Sequence, residues 1–224
     1  MKRRALLLVI PVTVLAPRLA SAQGRPSASE VAASMQSFYG QRRTVQSRFT
    51  QTFVSRVYRR TQTSRGRLSI QRPGRIRFDY DEPSGKVLVS DGTSWTMYEP
   101  IEGGPGQYSR GSTAAASTTA FGILMGTVDL ADYRQSLRAP VRSDPPHTDA
   151  LELVPSAPSP HYRRIVAYVD RRSEHRGVVR RVSIEDPDGN GNQFDFTELR
   201  FDQALDPSTF RFTPPRGARE LGRR

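Results

Sequence analysis

In Arg75-Ile76-Arg77-Phe78-Asp79-Tyr80 the apolar side chains alternate with charged ones, and the same period of two recurs along most of the chain. Residues that alternate this way point to opposite faces of a strand, so one face is apolar and the other is wet. Val45, Phe49 and Phe53 share a parity, as do Leu68 and Ile70. Val87 to Val89 and Ser94 to Tyr98 flank Asp91-Gly92, and Val178 to Ile184 and Gln193 to Phe201 flank Asp186-Pro187-Asp188-Gly189-Asn190-Gly191. Both interruptions are strong hairpin turns. With Leu151 to Val154, Ile165 to Val169 and Phe210 to Phe212 added, about nine to eleven closely spaced strands are predicted, which in one domain means a barrel or a strongly curved sheet.

Helices are a minority. Ser27-Ala28-Ser29-Glu30 has capping-box spacing, and Val31, Met35 and Phe38 follow at i, i+4 and i+7 until Gly40. In the centre, Ser117-Thr118-Thr119 precedes Phe121, Leu124 and Met125 at helical spacing, and Asp129 to Tyr133 reads as a further helical turn. Pro140, Pro145, Pro146, Pro155, Pro158 and Pro160 make 140–161 loop-rich with one short strand inside, and no domain boundary is read there.

Lys2-Arg3-Arg4, an apolar run from Ala5 to Ala16 and Ala20-Ser21-Ala22 form the charged, hydrophobic and small-residue parts of a secretory signal in order. The apolar run is broken by Pro11 and is shorter than the roughly 20 residues a spanning helix needs. The expectation is cleavage after Ala22, a signal peptide over 1–22, one domain over 23–224, and a periplasmic, soluble product. Four of the 34 basic residues precede the cleavage point and all 22 acidic residues follow it, leaving 30 − 22 = +8. A basic surface favours anionic partners. Export sets nucleic acid aside and leaves anionic lipid headgroups or acidic proteins. The Arg-Arg pairs at 42–43, 59–60, 171–172 and 180–181 read first as solvated faces. With no cysteine in the chain there is no disulfide framework, no thiol nucleophile and no acceptor for an N-terminal lipid.

A search for catalytic chemistry finds little. His147, His161 and His175 are scattered in polar surroundings, and neither H-E-x-x-H nor G-x-S-x-G is present. Asp186, Asp188, Asn190 and Gly191 match the first half of a calcium loop, but its twelfth position is Thr197 instead of a bidentate Glu, so a plain turn is the better reading. No enzyme activity, metal or cofactor is expected.

The segment Leu68-Ser69-Ile70-Gln71-Arg72-Pro73-Gly74-Arg75-Ile76-Arg77-Phe78-Asp79-Tyr80, followed by Pro83 and Val87-Leu88-Val89-Ser90-Asp91-Gly92, resembles the LolA family of periplasmic lipoprotein carriers. Phe210-Arg211-Phe212-Thr213-Pro214-Pro215-Arg216-Gly217 is similar to that family's closing F-x-F-x-P-P-x-G, and Phe49-Thr50-Gln51 to its first-strand core. The chain departs from the pattern at Phe78, where Trp is usual, at Thr96, where the second Trp falls, and at Ala120, where Pro is frequent.

The resemblance implies an unclosed antiparallel β-barrel with a lid of short α-helices over an apolar cavity that holds lipoprotein acyl chains. It also implies a role for Arg72, which stands where the family's lid-latching arginine stands. From alternation, helical spacing and the resemblance together, Phe49, Ile76, Phe78, Trp95 and Met97 are expected to line the cavity. Val31, Met35, Phe38, Phe121, Leu124 and Met125 are expected on the lid helices, and each of these residues could instead be ordinary core. The implied partners are acylated lipoproteins or lipids, an inner-membrane ABC-type lipoprotein-releasing complex and an outer-membrane LolB-like acceptor, the carrier itself being a monomer. Two alternatives stay open, carriage of other lipids or glycolipids on the same scaffold and a non-enzymatic envelope sensor.

Overall fold

Strands dominate the computed structural model, which describes residues 25–112, 122 and 129–223. The signal segment read over 1–22 lies outside these residues, as do Phe121, Leu124 and Met125 of the expected second lid helix. In chain order the elements are α1 (Ala28–Gly40), β1 (Thr44–Ser55), β2 (Arg60–Gln71), β3 (Arg75–Tyr80), β4 (Val87–Asp91), β5 (Ser94–Ile101) and β6 (Gly104–Ser112). They continue with β7 (Tyr133–Arg138), β8 (Thr148–Pro155), β9 (Arg164–Asp170), β10 (Val179–Glu185), β11 (Gly191–Phe201) and β12 (Arg219–Arg223). All twelve form one sheet in the order β12-β6-β5-β4-β3-β2-β1-β11-β10-β9-β8-β7. The sheet is open, with β12 and β7 at its two edges.

Twelve strands among the described residues exceed the nine to eleven expected, and the difference has local causes. β6 is rich in Gly, Ser and Gln, and β12 is a five-residue edge strand paired parallel to β6, so neither carries an apolar alternation. Asp129 to Tyr133 is split: Asp129 caps a 3₁₀ turn over Leu130–Asp132, and Tyr133 already begins β7. Phe210 to Phe212 is not a strand. Pro207–Phe210 forms a 3₁₀ turn capped by Asp206 and packed on β3 and β4, and the guanidinium of Arg77 donates to the carbonyls of Thr209 at 3.0 Å and Arg211 at 3.3 Å. Prolines at 207, 214 and 215 lack the N–H groups a ladder requires, so the apolar alternation there fills the outer side of the sheet without joining it.

The registers put one apolar row after another on a single face. Leu68, Phe78, Leu88 and Met97 stand opposite one another across β2 to β5. Leu137, Leu151, Ala167, Val182 and Phe194 do so across β7 to β11. All of these residues except Met97 join one core cluster with the buried stripe of α1, Val31, Ala32, Met35 and Tyr39. The sheet curls around that helix. α1 touches β7 and β8, while Tyr39 near its C-terminal end is bonded both to the β2–β3 turn and to β10. On a flat sheet β2 and β7 would be about 29 Å apart, more than the ~20 Å length of a thirteen-residue helix.

Candidate functional site

The centre of the concave face is built from aromatic rings. Phe49 lies 5.3 Å from Phe78 and 5.1 Å from Tyr80, both edge to face, and 6.0 Å from Phe194. Space for the Phe49 ring exists because its cross-strand partner is Gly66, where a Cβ would come within 2.7 Å of the ring. Ile76 and Phe78 are buried beside it, and Trp95 and Met97 are half-buried on β5 toward the β12 edge. The five strand residues expected to line a cavity therefore share one face, since Ile76 is in line with Ser90 and Trp95 while Phe78 is in line with Leu88 and Met97. Burial raises the phenol of Tyr80 to about 12, so it stays neutral on this face.

The helix over this face begins with a complete capping box. The Ser27 side chain accepts from the Glu30 N–H at 3.2 Å, and the Glu30 carboxylate accepts from the Ser27 N–H at 2.7 Å. Val31 and Met35 are buried in the core cluster with the sheet. Phe38 sits on the flank of the helix, edge to face with Phe201 at 4.9 Å and under the Arg42 guanidinium at 4.6 Å. The fourth inward residue is Tyr39, four positions after Met35, which the i+7 spacing to Phe38 passed over. Tyr39 accepts from the Val179 N–H at 3.2 Å, and burial pushes its phenol up to about 12.

Arg72 stands in the turn between β2 and β3, and its guanidinium donates to the backbone carbonyl of Tyr39. Carbonyls in the last turn of a helix have no partner within the helix, and a cation there also meets the negative end of the helix dipole. One side chain from the sheet thus holds the C-terminal end of α1.

A separate cleft of about 780 Å³ lies at the other end of α1, between Arg25, Glu30 and Val31 and the β8–β9 side with Asp149, Asp170 and Arg171. Its lining mixes these charged side chains with Pro26, Pro140 and Val169. Behind it the Asp170 carboxylate, fully buried, binds the Arg172 guanidinium at 2.6 Å and Arg180 at 3.0 Å. Three of the four Arg-Arg pairs therefore hold carboxylates: Arg42 pairs with Asp202, Arg171 with Asp149, Arg172 and Arg180 with Asp170, and Arg181 with Asp195. The turn at 186–190 is closed by Asp186, whose oxygens accept from the backbone and side-chain N–H groups of Asn190 at 2.8 and 2.7 Å.

An open, curled sheet whose apolar face carries a helix, with no second sheet among the described residues, defines the class of scaffold. The chain belongs to the LolA family: the model described as outer membrane lipoprotein carrier protein LolA matches residues 41–213. Among curated relatives, an outer-membrane lipoprotein carrier protein of Chromobacterium violaceum is 25% identical over 202 residues, covering 90% of this chain and 92% of the relative. One from Dechloromonas aromatica is 27% identical over 180 residues, covering 80% and 82%. Among solved structures, a LolA superfamily protein from Nitrosomonas europaea superposes with a TM-score of 0.44 at 15% identity, over 84% of this chain and 99% of that one.

Proposed function

We propose that the protein is an exported periplasmic carrier, without catalytic activity, that shelters the acyl chains of lipoproteins against the concave face beneath α1. It would receive them from an ABC-type lipoprotein-releasing complex of the inner membrane and pass them to a LolB-like acceptor at the outer membrane. The observation that carries this reading is the row of aligned apolar side chains running across both wings of an open sheet, with α1 packed on it. Acyl chains left in water lose roughly 0.8 kcal/mol per methylene relative to burial, so an acylated protein needs such a shelter to cross an aqueous space. The names of the relatives support lipoproteins as the cargo.

In the described structure the aromatic rings of this face pack on one another and on α1. Hydrocarbon would therefore compete with the docked helix for the same surface. Such a carrier can release its cargo because helix docking opposes ligand binding. Arg72, as the latch, sets that balance: its bond to the Tyr39 carbonyl exists only when the helix is down.

The test is titration with a fluorescent fatty-acyl probe, followed by transfer to an acceptor. Wild-type protein should enhance the probe's emission. Arg72→Leu, having lost a charge-assisted hydrogen bond worth about 1.5 kcal/mol to the docked state, should hold the probe about tenfold more tightly and release it more slowly. A wild-type protein that leaves the probe dark ends the carrier reading, and unchanged affinity and transfer in Arg72→Leu ends the latch.

A further inference from the structure

Among the described residues, four of the seven large apolar side chains that stand exposed belong to one hairpin: Phe53 and Val54 at the end of β1, and Val57 and Tyr58 in the turn, the last two 72% and 81% exposed. The turn reads Arg56-Val57-Tyr58-Arg59, with Arg60 opening β2. Arg59-Arg60 is the Arg-Arg pair that forms no ion pair among the described residues, and Arg56 forms none either. Arg59 has φ +48°, a left-handed position where glycine sits at no cost and arginine does not.

The hairpin also projects. β2 pairs with β3 only from Gly66 onward, and the Asp81 N–H donates to the Arg65 carbonyl at 2.8 Å. Residues 60–64 are therefore held on the β1 side alone, a length of about 17 Å. β1 stays paired with β11 out to Val54, and the turn at 56–59 stands beyond that pairing. The turn itself is fixed, with the Arg56 N–H donating to Asn190 Oδ1 at 2.9 Å and the Tyr58 N–H to Ser55 Oγ at 3.3 Å. The neighbouring turn brings Asp188, which is exposed, and Asp186, whose oxygens are taken by Asn190.

We infer that the β1–β2 hairpin is a bilayer-docking tip: Val57 and Tyr58 seat in the interfacial region of an anionic membrane while Arg56, Arg59 and Arg60 meet lipid phosphates. An aliphatic and a tyrosine side chain held out on a rigid point, ringed by long basic side chains, match the boundary between acyl chains and headgroups, where tyrosine is enriched and arginine reaches outward. A protein groove would ask for a broad apolar patch, and this tip is narrow. Docking of this kind holds whether or not the concave face carries an acyl chain.

The experiment is co-sedimentation of the purified full chain with vesicles of phosphatidylcholine alone and of phosphatidylcholine with about 30% phosphatidylglycerol, at low and high salt. The protein should bind the anionic vesicles at about tenfold lower lipid concentration than the neutral ones, and high salt should remove the difference. Val57→Ser with Tyr58→Ser should weaken binding to both kinds of vesicle about tenfold. Arg56→Gln, Arg59→Gln and Arg60→Gln together should abolish the preference for anionic lipid. All of these side chains are exposed, and circular dichroism matching the wild type shows that the variants fold. Variants that sediment like the wild type overturn the inference. So does a result in which vesicle binding is unchanged and only transfer to a membrane-bound protein acceptor is lost, which would make the tip a protein-docking element.

Discussion

Gly66 and Asp170 show how single residues carry this fold. A side chain at 66 would meet the Asp79 carbonyl oxygen at 2.2 Å as well as the Phe49 ring, and neither can retreat, one being backbone and the other buried among rings. Gly66→Ala should therefore destabilise the protein by about 3 kcal/mol, read as a lower urea midpoint at an unchanged slope. At Asp170, burial raises the carboxyl, but hydrogen bonds from the Arg172 side chain and backbone and from Arg180 outweigh it and hold the group at about 2. Because the folded value lies below the unfolded one near 3.8, the stabilisation is complete above that value and is lost as pH falls toward 2. Asp170→Asn should cost about 2 kcal/mol at neutral pH by removing the buried charge that two part-exposed guanidinium groups bond to, and should flatten the stability profile between pH 4 and 2. A mutant with the wild-type acid profile would assign that limb to other carboxylates.

The informative element is α1. Its start was legible in Ser27 and Glu30 and its inward face in Val31 and Met35, because caps and helical periods are local. Of the contacts that fix its position, only Arg72 was pointed to by the family resemblance; Val179 and Gly177, distant in sequence, carry no local signal. Gly177, at φ +92°, brings the β9–β10 loop so close that a Cβ would lie 2.4 Å from the Ser34 carbonyl oxygen and 2.7 Å from Phe38 Cβ. Gly177→Ala should push the helix off the sheet, giving faster hydrogen exchange at α1 amides while the central strands stay protected. If the helix must lift to admit an acyl chain, the same substitution should also tighten probe binding. Equal exchange at α1 in both proteins would show that the loop yields instead of the helix.

Over the whole molecule the two wings are joined through β1, which pairs with β2 on one side and β11 on the other. With Phe49 opposite Phe196, the closing contact spans most of the chain, so neither wing buries its apolar face without the other. Unfolding in urea should then be a single transition, with the emission of Trp95 on the β5 wing coinciding with far-ultraviolet circular dichroism of the whole sheet; separated midpoints would mean the wings open independently. The sequence alone determined that the chain is a curved, mainly antiparallel β-protein with a capped helix at its start, because alternation, capping boxes and Asp-Gly turns act between neighbours in the chain. Tertiary structure decided the rest. It placed β12 parallel to β6, turned Phe210 to Phe212 into a buttress on the outer side, buried Tyr39 against β10, put Phe194 among the aromatic rings and left 56–60 standing clear. Those outcomes depend on which distant surfaces meet, and the free energy of such meetings is written in no local pattern of residues.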